Sequence, residues 1–228
     1  MPDPTLNDRF LLRAERFDHP PFSAEILLPA SADALIDENE FDGDERLPYW
    51  AELWPAARAL ARVVLDQPVL PASAIEVGCG LGLPSLALCH RGVVTLATDY
   101  YADALLFVDR NAEHNGIAAP STRLLDWRHP PADLPRFPLV LAADVLYEAR
   151  NIDALRALLP RIVAPAGSVL LADPGRVHLD SFTSGMLQDG WRVLDLADRT
   201  EPSPAGGGRQ VRVRILRIAR SDDDWPAV

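Results

Sequence analysis

Asp144 and Tyr147 stand three residues apart where the apolar run LVLAADV, residues 139 to 145, gives way to polar sequence. A side chain at the carboxyl edge of a parallel strand faces the crevice in which open α/β sheets hold their ligands. A carboxylate there attracts and orients a cation, and a tyrosine ring beside it walls the channel and offers a cation–π contact. A second group of residues lies upstream. In IEVGCGLGLPS, residues 75 to 85, the acidic Glu76 is followed by Gly78, Gly80 and Gly82. A strand that runs through glycines into a helix brings backbone N–H groups and a positive helix end to whatever binds there. Asp99, about 20 residues beyond Gly78, closes VVTLATD, where an acidic side chain accepts two ribose hydroxyls.

Three ligand classes compete for such a turn. A phosphate-cradling Walker loop needs a Lys, and the chain contains none. A dinucleotide fingerprint needs its third glycine at position 83, which is Leu83. What remains, Glu76 followed by Gly-x-Gly-x-Gly, resembles the first motif of the seven-strand S-adenosylmethionine-dependent methyltransferases. That resemblance implies a Rossmann-like, doubly wound seven-stranded α/β sheet, S-adenosylmethionine as cofactor and S-adenosylhomocysteine as product. It also implies that Asp126 and Trp127, at the end of STRLLDW, meet the adenine. Each aspartate alone also reads as a turn or helix-cap residue.

Two further marks narrow the resemblance. The aromatic and Trp-Pro segment Tyr49, Trp50, Trp54 and Pro55, together with the D-x-x-Y run of Asp144, Val145, Leu146 and Tyr147, is similar to methyltransferase family 16, largely protein lysine methyltransferases. It covers roughly residues 47 to 176. It implies a protein substrate, with Asp144 and Tyr147 at the acceptor and Trp54 beside the cofactor. For Trp50 and Trp54, four residues apart, packing of one helical face into the core stays open as a second reading. Asp173 and Arg176, in ADPGR, read first as a chain turn with Pro174 and Gly175, and second as part of the acceptor entrance.

Methyl transfer to lysine needs a neutral amine, whose free pKa is about 10.4. A nearby carboxylate raises that value, so Asp144 reads as an orienter rather than a base. Two other functions fit the same residues: a small-molecule N-methyltransferase, and an inactive cofactor-binding module that serves as a partner subunit.

The elements that must position these residues follow a repeat. AIEVG, VVTLAT, LVLAADV and SVLLAD are short apolar runs without polar alternation, as in strands covered on both faces. Helical spacing separates them, with Gly92 and Gly116 as stops and Ile152, Leu155, Leu158 and Leu159 on one face. Strand followed by helix, repeated, implies a parallel sheet with right-handed crossovers. The tail, residues 191 to 220, instead predicts an antiparallel hairpin whose last strand alternates Val211, Val213 and Ile215 with solvated Arg212 and Arg214. AEILLPA predicts one more strand. Residues 1 to 18 and SDDDWPAV read as frayed, SADALIDENEFDGDERLP as a mobile acidic lead-in, and His19 as part of a flexible segment without a role.

At 228 residues the chain is expected to form one domain, with 1–46 as an N-terminal extension and 47–220 as the core. The formal net charge of −11 disfavours nucleic acid and acidic membranes as partners. Neither a membrane span nor a leader pattern is visible, and a cytoplasmic protein is expected. Cys79 and Cys89 sit in apolar segments, where a disulfide framework is not expected, and no metal-ligand cluster is apparent.

Overall fold

The computed structural model describes residues 9–31, 48–203 and 207–220. Its centre is a seven-stranded sheet built from β3 (Ser73–Val77), β4 (Val94–Asp99), β5 (Ser121–Leu124), β6 (Phe137–Ala143), β7 (Val163–Asp173), β8 (Trp191–Pro202) and β9 (Gln210–Arg220). The spatial order is β5-β4-β3-β6-β7-β9-β8. Strands β3 to β7 pair in parallel, while β9 runs antiparallel to β7 and to β8.

Parallel strands are buried on both faces, and the alternation along β6 shows how. Leu139 and Leu141 enter one core with α1 (Pro55–Asp66) and α2 (Leu83–His90), whereas Val140 and Ala142 enter another with α4 (Ala149–Ile162) and α5 (Leu179–Gln188). The first face also takes Phe107 of α3 (Ala102–His114). Helix α1 buries Ala56, Ala59, Leu60, Val63 and Val64, an i, i+3, i+4 stripe that suits one face of a helix on a sheet. The chain winds outward from β3 through β4 and β5 on one side, and from β6 through β7 on the other. This puts the point of reversal between β3 and β6, with a crevice at their carboxyl ends.

Residues read as frayed are in part a strand. Strand β1 (Leu12–His19) pairs antiparallel with β2 (Phe22–Pro29) along its whole length, and the hairpin covers the first helical layer. Phe17, Phe22, Ala24, Ile26 and Leu28 are its buried side. Its charged residues are tied down. The Arg58 guanidinium donates to Arg16 O and pairs with Glu15, and Arg62 donates to Asp18 O at 2.7 Å. His19, far from loose, contacts Asp66 Oδ1 through Nε2 at 2.7 Å. Asn111 of α3, fully buried, accepts the Leu27 N–H and donates to Leu27 O and Leu81 O, joining hairpin, helix and glycine loop.

The expected C-terminal hairpin is present, and its Arg212 and Arg214 pair with Asp198 and Asp195 on a wet face. Most of the acidic lead-in (32–47), the first eight residues, 204–206 and SDDDWPAV lie outside the described residues. Among those described, no helix is long and apolar enough to cross a membrane.

Candidate active site

Four loops at the carboxyl ends of β3, β4, β5 and β6 surround one cavity, and every residue singled out for chemistry lines it: Trp54, Glu76, Gly78, Gly80, Gly82, Asp99, Asp126, Trp127, Asp144 and Tyr147. The glycine loop follows β3 and leads into α2. Gly78, Gly80 and Gly82 all have left-handed φ, +67°, +50° and +81°, which glycine adopts without strain. Protein neighbours also crowd a side chain here. A Cβ on Gly82 would lie 2.7 Å from Val108 Cγ2, and one on Gly78 would lie 3.1 Å from Trp127 Cζ2. At these two positions the close approach is helix α3 and an indole ring rather than a ligand alone.

Glu76 forms part of the cavity floor and is almost wholly buried. Its Oε2 accepts the Ser85 N–H at 2.9 Å and the Ser85 hydroxyl at 2.5 Å. Burial nevertheless pushes its pKa from 4.5 up to about 8, with the Ser85 bonds opposing and Asp99 reinforcing. Asp99 ends β4, where it accepts the Gly80 N–H at 2.9 Å and the Tyr101 N–H at 3.0 Å. It thereby fastens two cavity loops to each other. Cys79 also lines the cavity, and burial lifts its thiol pKa well above the ordinary value, which keeps it un-ionised at neutral pH.

Strand β5 stops at Leu124, so Asp126 and Trp127 occupy the loop beyond it. Asp126 is already engaged. Both of its oxygens receive hydrogen bonds from the Arg128 guanidinium, and the Arg128 N–H donates to Oδ1. These bonds hold its pKa below the usual carboxylate range. Trp127 packs with Leu125 and Val145 and presents the apolar side of this wall.

The two tryptophans separate. Tyr49–Ala51 is a single 3₁₀ turn, and α1 begins only at Pro55, so Trp50 and Trp54 do not share a helical face. Trp50 is core, its ring 5.4 Å from that of Phe107. Trp54 faces the cavity, anchored by an indole N–H bond of 2.6 Å to Tyr49 O. Tyr49 stands between Trp54 and Tyr147, with ring centroids 6.1 and 4.9 Å away, and the three rings form an aromatic rim.

Asp144 lines the same cavity, 6% exposed, with φ +55°. Its N–H donates to Ala172 O at 2.9 Å, and the chain beyond is pinned by Asn151, whose amide donates to Val145 O. Left-handed backbone costs a non-glycine residue on the order of 1–3 kcal/mol and persists only where surroundings impose it. Opposite stands a group assigned chiefly to a turn by sequence. Arg176 donates from Nε to Asp144 Oδ1 at 2.7 Å and from Nη2 to Oδ2 at 2.9 Å, and its guanidinium lies 5.7 Å from the Trp54 ring centre. The turn reading does hold for Asp173, whose Oδ1 accepts the Gly175 and Arg176 N–H groups, both at 2.7 Å.

The wall therefore offers acidic groups, glycine-loop backbone and aromatic rings. Its arginines Arg128, Arg150 and Arg176 each face a carboxylate, of Asp126, Glu148 and Asp144. Such a lining suits a nucleoside bearing cationic groups better than a pyrophosphate.

Comparison with known proteins agrees with this geometry. Solved structures of similar fold include the ribosomal protein L11 methylase from Lactobacillus delbrueckii subsp. bulgaricus, at TM-score 0.53 and 22% identity, covering 71% of this chain and 76% of that one. Another is Pyrococcus horikoshii TYW2 in complex with MeSAdo, at TM-score 0.57 and 15% identity, covering 95% and 80%. The fold is thus that of the Rossmann-like methyltransferases. A family model described as lysine methyltransferase matches residues 49–186, and the chain belongs to that family. The electron transfer flavoprotein beta subunit lysine methyltransferase of Rattus norvegicus is 30% identical over 164 residues, 69% of this chain and 60% of the relative. The matches to the rat, zebrafish and frog relatives span between 52% and 60% of their lengths.

Proposed function

We propose that the chain uses S-adenosylmethionine to methylate the side-chain amine of a lysine in a protein. The observation that carries this reading is the position of Asp144: a buried carboxylate that lines one cavity together with the rings of Tyr49, Trp54 and Tyr147, the glycine loop and Asp99. The names of the relatives point to the β subunit of an electron transfer flavoprotein as the first acceptor to try.

In this reading Glu76, the backbone of Gly78, Gly80 and Gly82, and Asp99 hold the amino-acid and ribose parts of the cofactor, with Trp54, Asp126 and Trp127 around the remainder. When bound, the cofactor supplies an electrophilic methyl group on sulfonium and leaves as S-adenosylhomocysteine, a neutral thioether. The chain's own contribution is alignment. The acceptor nitrogen needs its lone pair along the line of displacement, and holding it there at near-attack distance is worth roughly 7–11 kcal/mol. Tyr49, Trp54 and Tyr147 exclude water and confine the amine, while Asp144 directs it. With the cofactor in place, the nitrogen so aligned would accept its methyl group and with it the positive charge.

The test is transfer from methyl-labelled adenosylmethionine to the electron transfer flavoprotein β subunit of the same source organism, with label located by mass spectrometry. Label is expected on lysine, and Asp144→Asn is expected to lower the rate about 100-fold, the cost of a misplaced reactant. Affinity for S-adenosylhomocysteine should stay within about threefold, since Asp144 sits at the acceptor side. Label confined to small molecules, or equal rates in the two proteins, refutes the proposal.

A further inference from the structure

The Asp144–Arg176 fork raises a question that a lone carboxylate would not. The transfer needs the acceptor amine neutral, yet a carboxylate within about 4–6 Å favours its ammonium form by 1–3 pH units. Aim and reactivity then oppose each other. Arg176 alters the balance because its guanidinium takes both carboxylate oxygens in a bidentate pair and stays charged at any physiological pH.

Arg176 is also built into place rather than draped there. Asp173, fully buried, accepts the Arg176 N–H and so fixes the turn from which the side chain departs. Asp144 is tied to the same strand through Ala172 O, and the Trp54 ring lies beside the guanidinium. The other charged and titratable groups around the fork come from three elements. Asp173 lies at the end of β7, its pKa raised by burial, and its charge favours the Arg176 cation. Tyr49 and Glu52 come from the segment before α1, Glu52 being paired with Arg13 at 2.6 Å. Tyr147 and Arg150 follow β6, Arg150 being paired with Glu148.

We propose that Arg176 is a positioning residue of the transfer: by pairing with Asp144 it makes a neutral fork that steers the acceptor amine without holding it protonated. This rests on the lysine reading above. A lone oxygen lone pair of Asp144 still accepts the amine N–H, which fixes direction, while the adjacent guanidinium cancels most of the carboxylate's field.

The experiment compares wild type, Arg176→Gln and Arg176→Lys, with the electron transfer flavoprotein β subunit as acceptor. The acid limb of kcat, at saturating cofactor and acceptor, reports groups in the bound complex. For R176Q that limb is expected to move up by about one pH unit, a loss of about tenfold at pH 7 that shrinks only as the pH climbs through the wild-type limb and beyond it. R176K, which keeps the charge, should lie near wild type. Acceptor affinity measured calorimetrically with S-adenosylhomocysteine present gives a readout without turnover. R176Q should bind the acceptor at least about threefold more tightly at pH 7, because unmasked Asp144 holds an ammonium better.

A loss in R176Q that is equal at every pH, a gain in its rate, or acceptor binding no tighter than wild type overturns the proposal and leaves the lysine reading standing. A wild type that binds S-adenosylhomocysteine but transfers nothing to this acceptor at any pH removes both.

Discussion

Replacing Glu76 by glutamine takes one ionisable group out of the cavity floor and leaves a side chain of the same shape. In the folded chain this carboxyl ionises near pH 8 rather than 4.5, because burial disfavours the charge more than Ser85 supports it. Between those values the unfolded chain gives up the proton and the folded chain keeps it. Stability therefore falls as pH rises through the window, and the slope vanishes once both states are protonated or both ionised. Each pH unit is worth about 1.36 kcal/mol, so the span from 4.5 to 8 sets a ceiling of about 5 kcal/mol. Relaxation around a buried charge lowers the expected loss to about 2–3 kcal/mol, a large part of a typical domain's stability. The assay is urea unfolding followed by tryptophan fluorescence at pH values from 5 to 9. At pH 5 glutamine can accept the same two Ser85 bonds through its amide oxygen, and Glu76→Gln should lie within about 1 kcal/mol of wild type. Above pH 8 the variant should be the more stable by about 2–3 kcal/mol. The difference curve isolates Glu76, since the other groups raised by burial, Asp109 and Asp173 among them, remain in both proteins. Parallel curves from pH 5 to 8.5 would refute the claim that burial outweighs the Ser85 hydrogen bonds.

Two other expectations follow from the same loop. Gly82→Ala meets both a left-handed backbone and Val108 Cγ2 at 2.7 Å, and a loss of about 2–4 kcal/mol in unfolding free energy is expected; adding Val108→Ala should restore the steric part, and a G82A protein as stable as wild type would show that the loop relaxes freely. Binding of S-adenosylhomocysteine, whose ammonium group favours an ionised neighbour, should release about one proton from Glu76 at pH 7. Calorimetry in buffers of different ionisation enthalpy measures it, and an equal count in E76Q would exclude Glu76 as the source.

The parallel core could be read from sequence because its strands are continuous apolar runs and its helices carry an apolar stripe. The β1–β2 hairpin could not be read in full. LRAERFDH places one fully buried aromatic, Phe17, among charges whose partners Glu52, Arg58 and Arg62 lie far along the chain, so no local alternation declares a strand. The glycine loop, Asp99 and Asp144 stood out because each ends an apolar run, a signal carried by neighbours in sequence. Arg176 lacks such a signal. Pro174 and Gly175 make its surroundings look like a turn, and its partner stands 32 positions away across two strands. Arg128 was closer to hand: a basic residue two places after Asp126 is well placed to occupy that carboxylate, as the structure shows.

Position 144 joins two independent requirements, a carboxylate that pairs with Arg176 and a chain that turns with positive φ directly after a strand. Few residue types tolerate the turn. Glycine and asparagine meet it but carry no charge, whereas glutamate keeps the charge on a side chain poorly suited to that backbone. Aspartate alone satisfies both, so a lineage that loses it has an easy path to a protein that still folds. Descendants carrying Asn or Gly here are expected to keep the fold while the proposed transfer slows by about 100-fold or more.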